Sequence, residues 1–225
     1  MSSSSFRRAS LPYRKASIAA MGPFHPFLAC AAFSVRHLPR LARNGWSSPL
    51  PPLLKRSFLH GIAKREGMAV LVETETYLGD TSWWLKGVFS RIHTIEVDPF
   101  LCAAAGRRFS RFPHVSVHLG DSSAVLPSII TGISQPALYW LDGHYSAGIT
   151  GSGTLECPVM AELDAIYELS TAPFIIVIDD ARCFGQDPAY PSMTELRQRI
   201  TDISGGQPAI SVENDMIIIR KPMKP

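Results

Sequence analysis

The chain has 225 residues, 46% of them hydrophobic, which suffices for one α/β domain with an extension. Its four cysteines (Cys30, Cys102, Cys157 and Cys183) lie far apart and form no Cys-x-x-Cys pair, so no zinc site or disulfide framework is indicated and reduced thiols of a cytoplasmic protein are expected. The net charge of +3 hides an asymmetry: residues 1–65 hold 11 Lys/Arg and no acid, whereas the other 11 bases face all 19 acids, a net of −8.

Residues 1–50 are rich in Ser, Arg and Pro and poorly periodic. They read as a basic, disordered extension ahead of a domain spanning 51–225. Two alternatives stay open. An Arg- and Ser-rich, acid-free head suits an organelle-targeting peptide. Residues 16–34 are mostly apolar, but Pro23, His25 and Pro26 interrupt them, so no stable membrane span is expected. The basic charge comes without aromatic or groove-reading motifs, so no nucleic-acid partner is expected.

Residues 53–66 form an amphipathic helix. Leu54, Phe58 and Ile62 share a face, Lys55, Arg56, Lys64 and Arg65 lie elsewhere, and Gly67 stands at C′. The chain then alternates. Strands are expected at 69–73, 91–96, 115–119, 137–141 and 174–178. Helices are expected at 79–89, 99–109, 122–133 (interrupted at Pro127), 156–169 and 193–200. Strands at 209–212 and 216–220 close the chain, and the short turn between them makes a hairpin. This alternation predicts a mostly parallel, doubly wound (Rossmann-like) sheet with helices on both faces.

In such sheets a ligand sits beyond the C-terminal ends of the strands. After the first strand come Glu73, Thr74, Glu75, Thr76 and Gly79, a ligand turn or an ordinary capped loop. After the second come Glu96 and Asp98; Glu96, 23 positions beyond Glu73, suits a ribose, and Asp98 suits the N-cap of the helix at Pro99. After the third come Asp121 and Ser122, where Asp121 either meets an adenine amino group or caps the next helix. After the fourth come Asp142 and His144, then Gly148, Gly151 and Gly153, a lid or a long connection. After the fifth come Asp179, Asp180 and Arg182. Asp142, Asp179 and Asp180 repel one another unless a cation joins them, and hard oxygen donors suit Mg²⁺. The competing reading is capping by Asp180 and an ion pair with Arg182. His144 is the candidate general base.

The segments Val-Glu-Thr-Glu-Thr-Tyr-Leu-Gly-Asp-Thr, Ile-Glu-Val-Asp, Gly-Asp-Ser, Leu-Asp-Gly-His-Tyr-Ser and Ile-Asp-Asp-Ala-Arg resemble class I S-adenosylmethionine-dependent methyltransferase-like proteins, in particular a bacterial methyltransferase-like group. The resemblance spans residues 51–220. It implies a seven-stranded sheet ending in the antiparallel hairpin. It also implies methyl transfer from S-adenosylmethionine to a small hydroxylated acceptor. The turn from Glu73 to Gly79 would wrap the methionine part of the cofactor, Glu96 would hold the ribose, and Asp121 with Ser122 would approach the adenine. Asp142, Asp179 and Asp180 resemble the Mg²⁺ ligands of catechol O-methyltransferase-like and cephalosporin hydroxylase-like proteins. Relatives usually carry Gly where this chain has Glu75, which adds bulk and charge beside the donor. A non-catalytic nucleoside-binding module of the same fold is therefore the alternative.

Overall fold

The computed structural model describes residues 50–141, 158–206 and 208–220. In chain order the elements are α1 (Pro52–Arg65), β1 (Val70–Thr74), α2 (Asp80–Leu85), β2 (Arg91–Glu96), α3 (Pro99–Phe109), β3 (Val115–Leu119) and α4 (Ser122–Ile130). There follow β4 (Ala137–Leu141), α5 (Val159–Leu169), β5 (Phe174–Ile178), a single 3₁₀ turn (Ala181–Cys183), α6 (Met193–Ser204), β6 (Ala209–Glu213) and β7 (Met216–Arg220). They build one seven-stranded sheet in the order β3-β2-β1-β4-β5-β7-β6. All pairings are parallel except those of β7 with β5 and with β6.

Strands buried on both faces must be apolar throughout rather than alternating. β4 and β5 (Ala-Leu-Tyr-Trp-Leu and Phe-Ile-Ile-Val-Ile) are buried at every position. On one face Val72, Tyr139, Ile176 and Ile217 pack with Leu126 of α4, Leu163 of α5 and Leu196 of α6. On the other, Leu71, Leu138, Val177 and Ile218 pack with Leu59 and Ile62 of α1, Leu85 of α2 and Phe109 of α3.

Several local signals act as their chemistry dictates. Gly67 takes φ 67° behind α1. Asp98 caps α3, its Oδ1 accepting from the N–H groups of Phe100 and Leu101. A capping box of Ser192 and Glu195 opens α6, which runs four residues beyond the expected end to a left-handed Gly205. Asn214 and Asp215, at φ 55° and 63°, form the two-residue turn between β6 and β7.

Two further helices depart from expectation, at Gly87 and at Pro127. α2 stops at Leu85, followed by a turn that closes on the N–H of Val88, because Gly87 is a poor helix former; Phe89 is still buried. α4 continues through Pro127. The proline forfeits one backbone bond, and the buried Leu126, Ile129 and Ile130 hold the helix against the sheet regardless.

Gly79 precedes α2 at φ 74°, and a Cβ there would lie 2.8 Å from Cε2 of the buried Phe109. Gly79→Ala is expected to cost about 2 kcal/mol, roughly half from the left-handed backbone and half from overpacking. A urea melt checks this; a loss of stability near zero would mean that the turn rearranges.

Candidate functional site

The strand register brings the C-terminal ends of the parallel strands level. Thr74 pairs with Ile95 and Leu141, Glu96 with Leu119, and Leu141 with Ile178. Residues 75–79, 97–98, 120–122 and 179–182 therefore emerge along one edge of the sheet.

The turn after β1 is tied to β2. The N–H groups of Glu75 and Thr76 donate to the Ile95 carbonyl at 3.2 and 2.9 Å, and the N–H of Gly79 closes back on the Thr76 carbonyl at 2.7 Å. The N–H of Tyr77 donates to Oε2 of Glu96 at 2.7 Å. The other oxygen of Glu96 accepts from the N–H of Asp98 at 2.9 Å. Each carboxylate oxygen has a second lone pair, so Glu96 holds two loops together and retains acceptor capacity toward the edge. Burial drives the Glu96 pKa above the ordinary carboxylate value, against the pull of the backbone hydrogen bonds. The N–H of Gly120 joins the third loop to the Glu96 carbonyl at 2.9 Å.

Glu73, the penultimate residue of β1, has its carboxylate fully buried. Oε2 accepts from Ser82 Oγ at 2.6 Å and Thr94 Oγ1 at 2.8 Å. Thr76 extends the chain of hydroxyls, its Oγ1 2.6 Å from that of Thr94. Burial raises the Glu73 pKa to about 7; the hydroxyl hydrogen bonds and the charge of Arg56 only partly offset it. Thr74 is buried beside it, and its Oγ1 has no hydrogen-bond partner among the described residues.

Glu75 takes φ 127°, a conformation that glycine tolerates and a side chain with a Cβ does not. Glycine at this position would relieve that strain. The backbone thus keeps a glycine-type path with a glutamate on it.

Asp121 caps α4, its Oδ1 accepting from the Ser123 N–H at 2.8 Å and from the Ser123 hydroxyl at 2.5 Å. Ser122 is the first helical residue. Asp142 and His144, with the glycine-rich loop, lie outside the described residues.

At the end of β5 the arrangement was not legible in the sequence. Nζ of Lys55, from α1, lies 2.5 and 2.7 Å from the two oxygens of Asp179 and 3.3 Å from Oδ1 of Asp180. The same Oδ1 accepts from Arg182 at 2.7 Å, and Arg182 also pairs with Asp215 in the hairpin turn. The Asp180 N–H donates to Asp179 Oδ1 at 2.8 Å. Of the reading that competed with a metal, the ion pair of Asp180 with Arg182 is present, but Asp180 stands at the N-cap position of the 3₁₀ turn without a side-chain capping bond. Burial opposes the charge on Lys55, but Asp179 and then Asp180 more than reverse this and raise its pKa.

Lys55 therefore does not sit away from the apolar stripe, as the helix pattern suggested. The buried stripe of α1 is Leu59, Ile62 and Ala63, and Lys55 stands one turn before Leu59 on that same side. The neighbouring Arg56 reaches Asp80 at 3.7 Å, and Arg108 holds Asp80 at 2.7 Å. One helix thus sends consecutive cations to the β1 side and the β5 side of the edge.

Asp179 and Asp180 carry the hard oxygens a divalent cation requires. As arranged they do not fit one, because an ammonium already lies on three of those oxygens. Among the described residues no three His, Cys, Asp or Glu side chains converge. None of the described helices is long and apolar enough to cross a membrane.

No protein-family model and no curated protein matches the chain. Solved structures do. An O-methyltransferase from Bacillus cereus in complex with SAH is 16% identical, with 84% of this chain and 89% of that one covered at a TM-score of 0.54. TomG, an O-methyltransferase of Streptomyces achromogenes involved in tomaymycin synthesis, in complex with SAM, is 16% identical, with 85% and 87% covered at 0.54. At this identity the likeness concerns architecture: the chain has the Rossmann-like fold of these methyltransferases.

Proposed function

We propose that the chain is an S-adenosylmethionine-dependent methyltransferase acting on the hydroxyl of a small-molecule acceptor. The observation that carries the reading is Glu96, a buried carboxylate at the end of β2 that binds the β1 turn and still has lone pairs for a ribose. The fold shared with O-methyltransferases that hold SAM or SAH supports it.

In this reading the turn from Glu73 to Gly79 holds the methionine portion, with Thr74 and Glu75 alongside, and Asp121 and Ser122 border the adenine. The bound cofactor supplies an electrophilic methyl group. The protein aligns the acceptor oxygen with it and excludes water, and His144 and Asp142 are the candidates for taking the hydroxyl proton. Metal assistance through Asp142, Asp179 and Asp180 is not part of the reading, because Lys55 stands on the last two. Glu75 favours a second reading, a nucleoside-binding module without turnover, since its strain and charge fall where the donor approaches.

Calorimetry with S-adenosylhomocysteine tests both. One molecule is expected to bind per chain. Glu75→Gly is expected to raise stability by about 1 kcal/mol and to tighten binding up to about tenfold. Equal affinities would sink the role given to Glu75. Absence of binding to either protein would overturn the cofactor site. Methyl transfer to a panel of hydroxylated acceptors separates enzyme from binding module.

A further inference from the structure

The edge of the sheet at β5 presents two adjacent, almost fully buried carboxylates, Asp179 and Asp180. Such a pair demands positive charge. The chain supplies it from two distant places. Lys55 arrives from α1, 124 positions earlier, with its ammonium within hydrogen-bonding distance of three carboxylate oxygens, one for each of its N–H donors. Arg182 arrives from the 3₁₀ turn and shares Oδ1 of Asp180 with it. Together they bring two positive charges, the charge of one divalent ion, to the two acids. The lysine is the enclosed member, its side chain 13% exposed against 40% for the arginine.

We propose that Lys55 is the resident cation of the acid pair, occupying the position a divalent metal would take, so that this end of the site is organised without a metal. The inference deepens the methyltransferase reading and rests on it for its functional consequence: Lys55 is a positioning residue that fixes the geometry of the β5 loop beside the acceptor.

Two features argue against a purely local role for this ammonium. Its oxygens are not those of one convenient surface acid but of consecutive residues whose backbone is bent for the purpose. Asp180 takes the left-handed conformation at φ 56°, and both carboxylates meet the same ammonium. The second cation is itself anchored, through Asp215, to the left-handed hairpin turn. Three segments of the chain therefore converge on one charge centre.

The test is a Mn²⁺ titration of the full-length protein followed by electron paramagnetic resonance, with S-adenosylhomocysteine binding measured on the same samples. Wild type is expected to leave the Mn²⁺ signal undiminished up to about 1 mM, the weak end of protein oxygen sites. Lys55→Met is expected to take up one Mn²⁺ per chain and to lose it when Asp179→Asn is added. Mn²⁺ uptake by wild type that Asp179→Asn abolishes would overturn the proposal, as would a folded Lys55→Met that binds none. If Lys55→Met does not fold in metal-free buffer, recovery of its native circular dichroism in Mn²⁺ supports the proposal, and failure to recover counts against it. Absence of S-adenosylhomocysteine binding by wild type alongside the expected Mn²⁺ pattern would fail the methyltransferase reading alone.

Discussion

Asp179→Ala is expected to destabilise the protein by about 3–5 kcal/mol, the penalty for leaving one member of a buried ion pair without its partner. The variant strands the Lys55 ammonium with a single 3.3 Å contact to Asp180 and removes the acceptor of the Asp180 N–H. Lys55→Met alone is expected to cost a similar amount, because two adjacent buried carboxylates then lose the ammonium that contacts both. The double variant, Asp179→Ala with Lys55→Met, is expected to recover part of the loss, since charge and counter-charge leave together. Urea denaturation of the three variants and wild type forms the cycle. A cost below about 1 kcal/mol for Asp179→Ala would place the pair among solvent-screened surface bridges and remove its structural role.

Glu73 gives the second large effect, and it depends on pH. Its pKa is about 7 in the folded protein against 4.5 ordinarily, because burial disfavours the charged form. The folded state therefore holds a proton that the unfolded chain has lost. The stabilisation is fully present below pH 4.5 and is lost as pH rises toward and through 7. At 1.36 kcal/mol per unit, the full loss is on the order of 3 kcal/mol. Glu73→Gln keeps the shape and cannot ionise, so it is expected to match wild type near pH 5 and to exceed it by about that amount at pH 8. The Ser82 and Thr94 hydroxyls, which now donate to the carboxylate, would rotate to accept from the amide. Parallel stability profiles from pH 5 to 8 for the two proteins would show that Glu73 does not titrate in this range.

The parallel core was legible because its strands are short runs of β-branched and large apolar residues between loop signals. The bounds expected for β2, β3, β4, β5 and β7 coincide with those observed. Helix ends were less legible. Gly87 ended α2 early through its poor helix propensity, whereas burial carried α4 through Pro127. Asp98 was read as an N-cap and Asp121 was open between capping and ligand contact; both side chains cap. Asp98 is buried, whereas Asp121 stays exposed at the edge. The hydroxyl chain on Glu73 draws on Ser82 and Thr94, neither of which stands out in a linear reading. Lys55 was misread because adjacent helical faces differ by one position in phase, and because its partners lie 124 and 125 residues away.

That separation has a kinetic meaning. Closing a loop of this length is entropically costly and brings no reward until both ends are in place. The ammonium from α1 meets the acids only after β5 has docked beside β4, and Arg182 meets Asp215 only after the final hairpin has turned. A nascent chain can collapse its central strands without assembling this charge centre. The centre therefore reports completion: a shortened product missing α1 would lack Lys55, and one missing the final hairpin would lack the Asp215 anchor of Arg182.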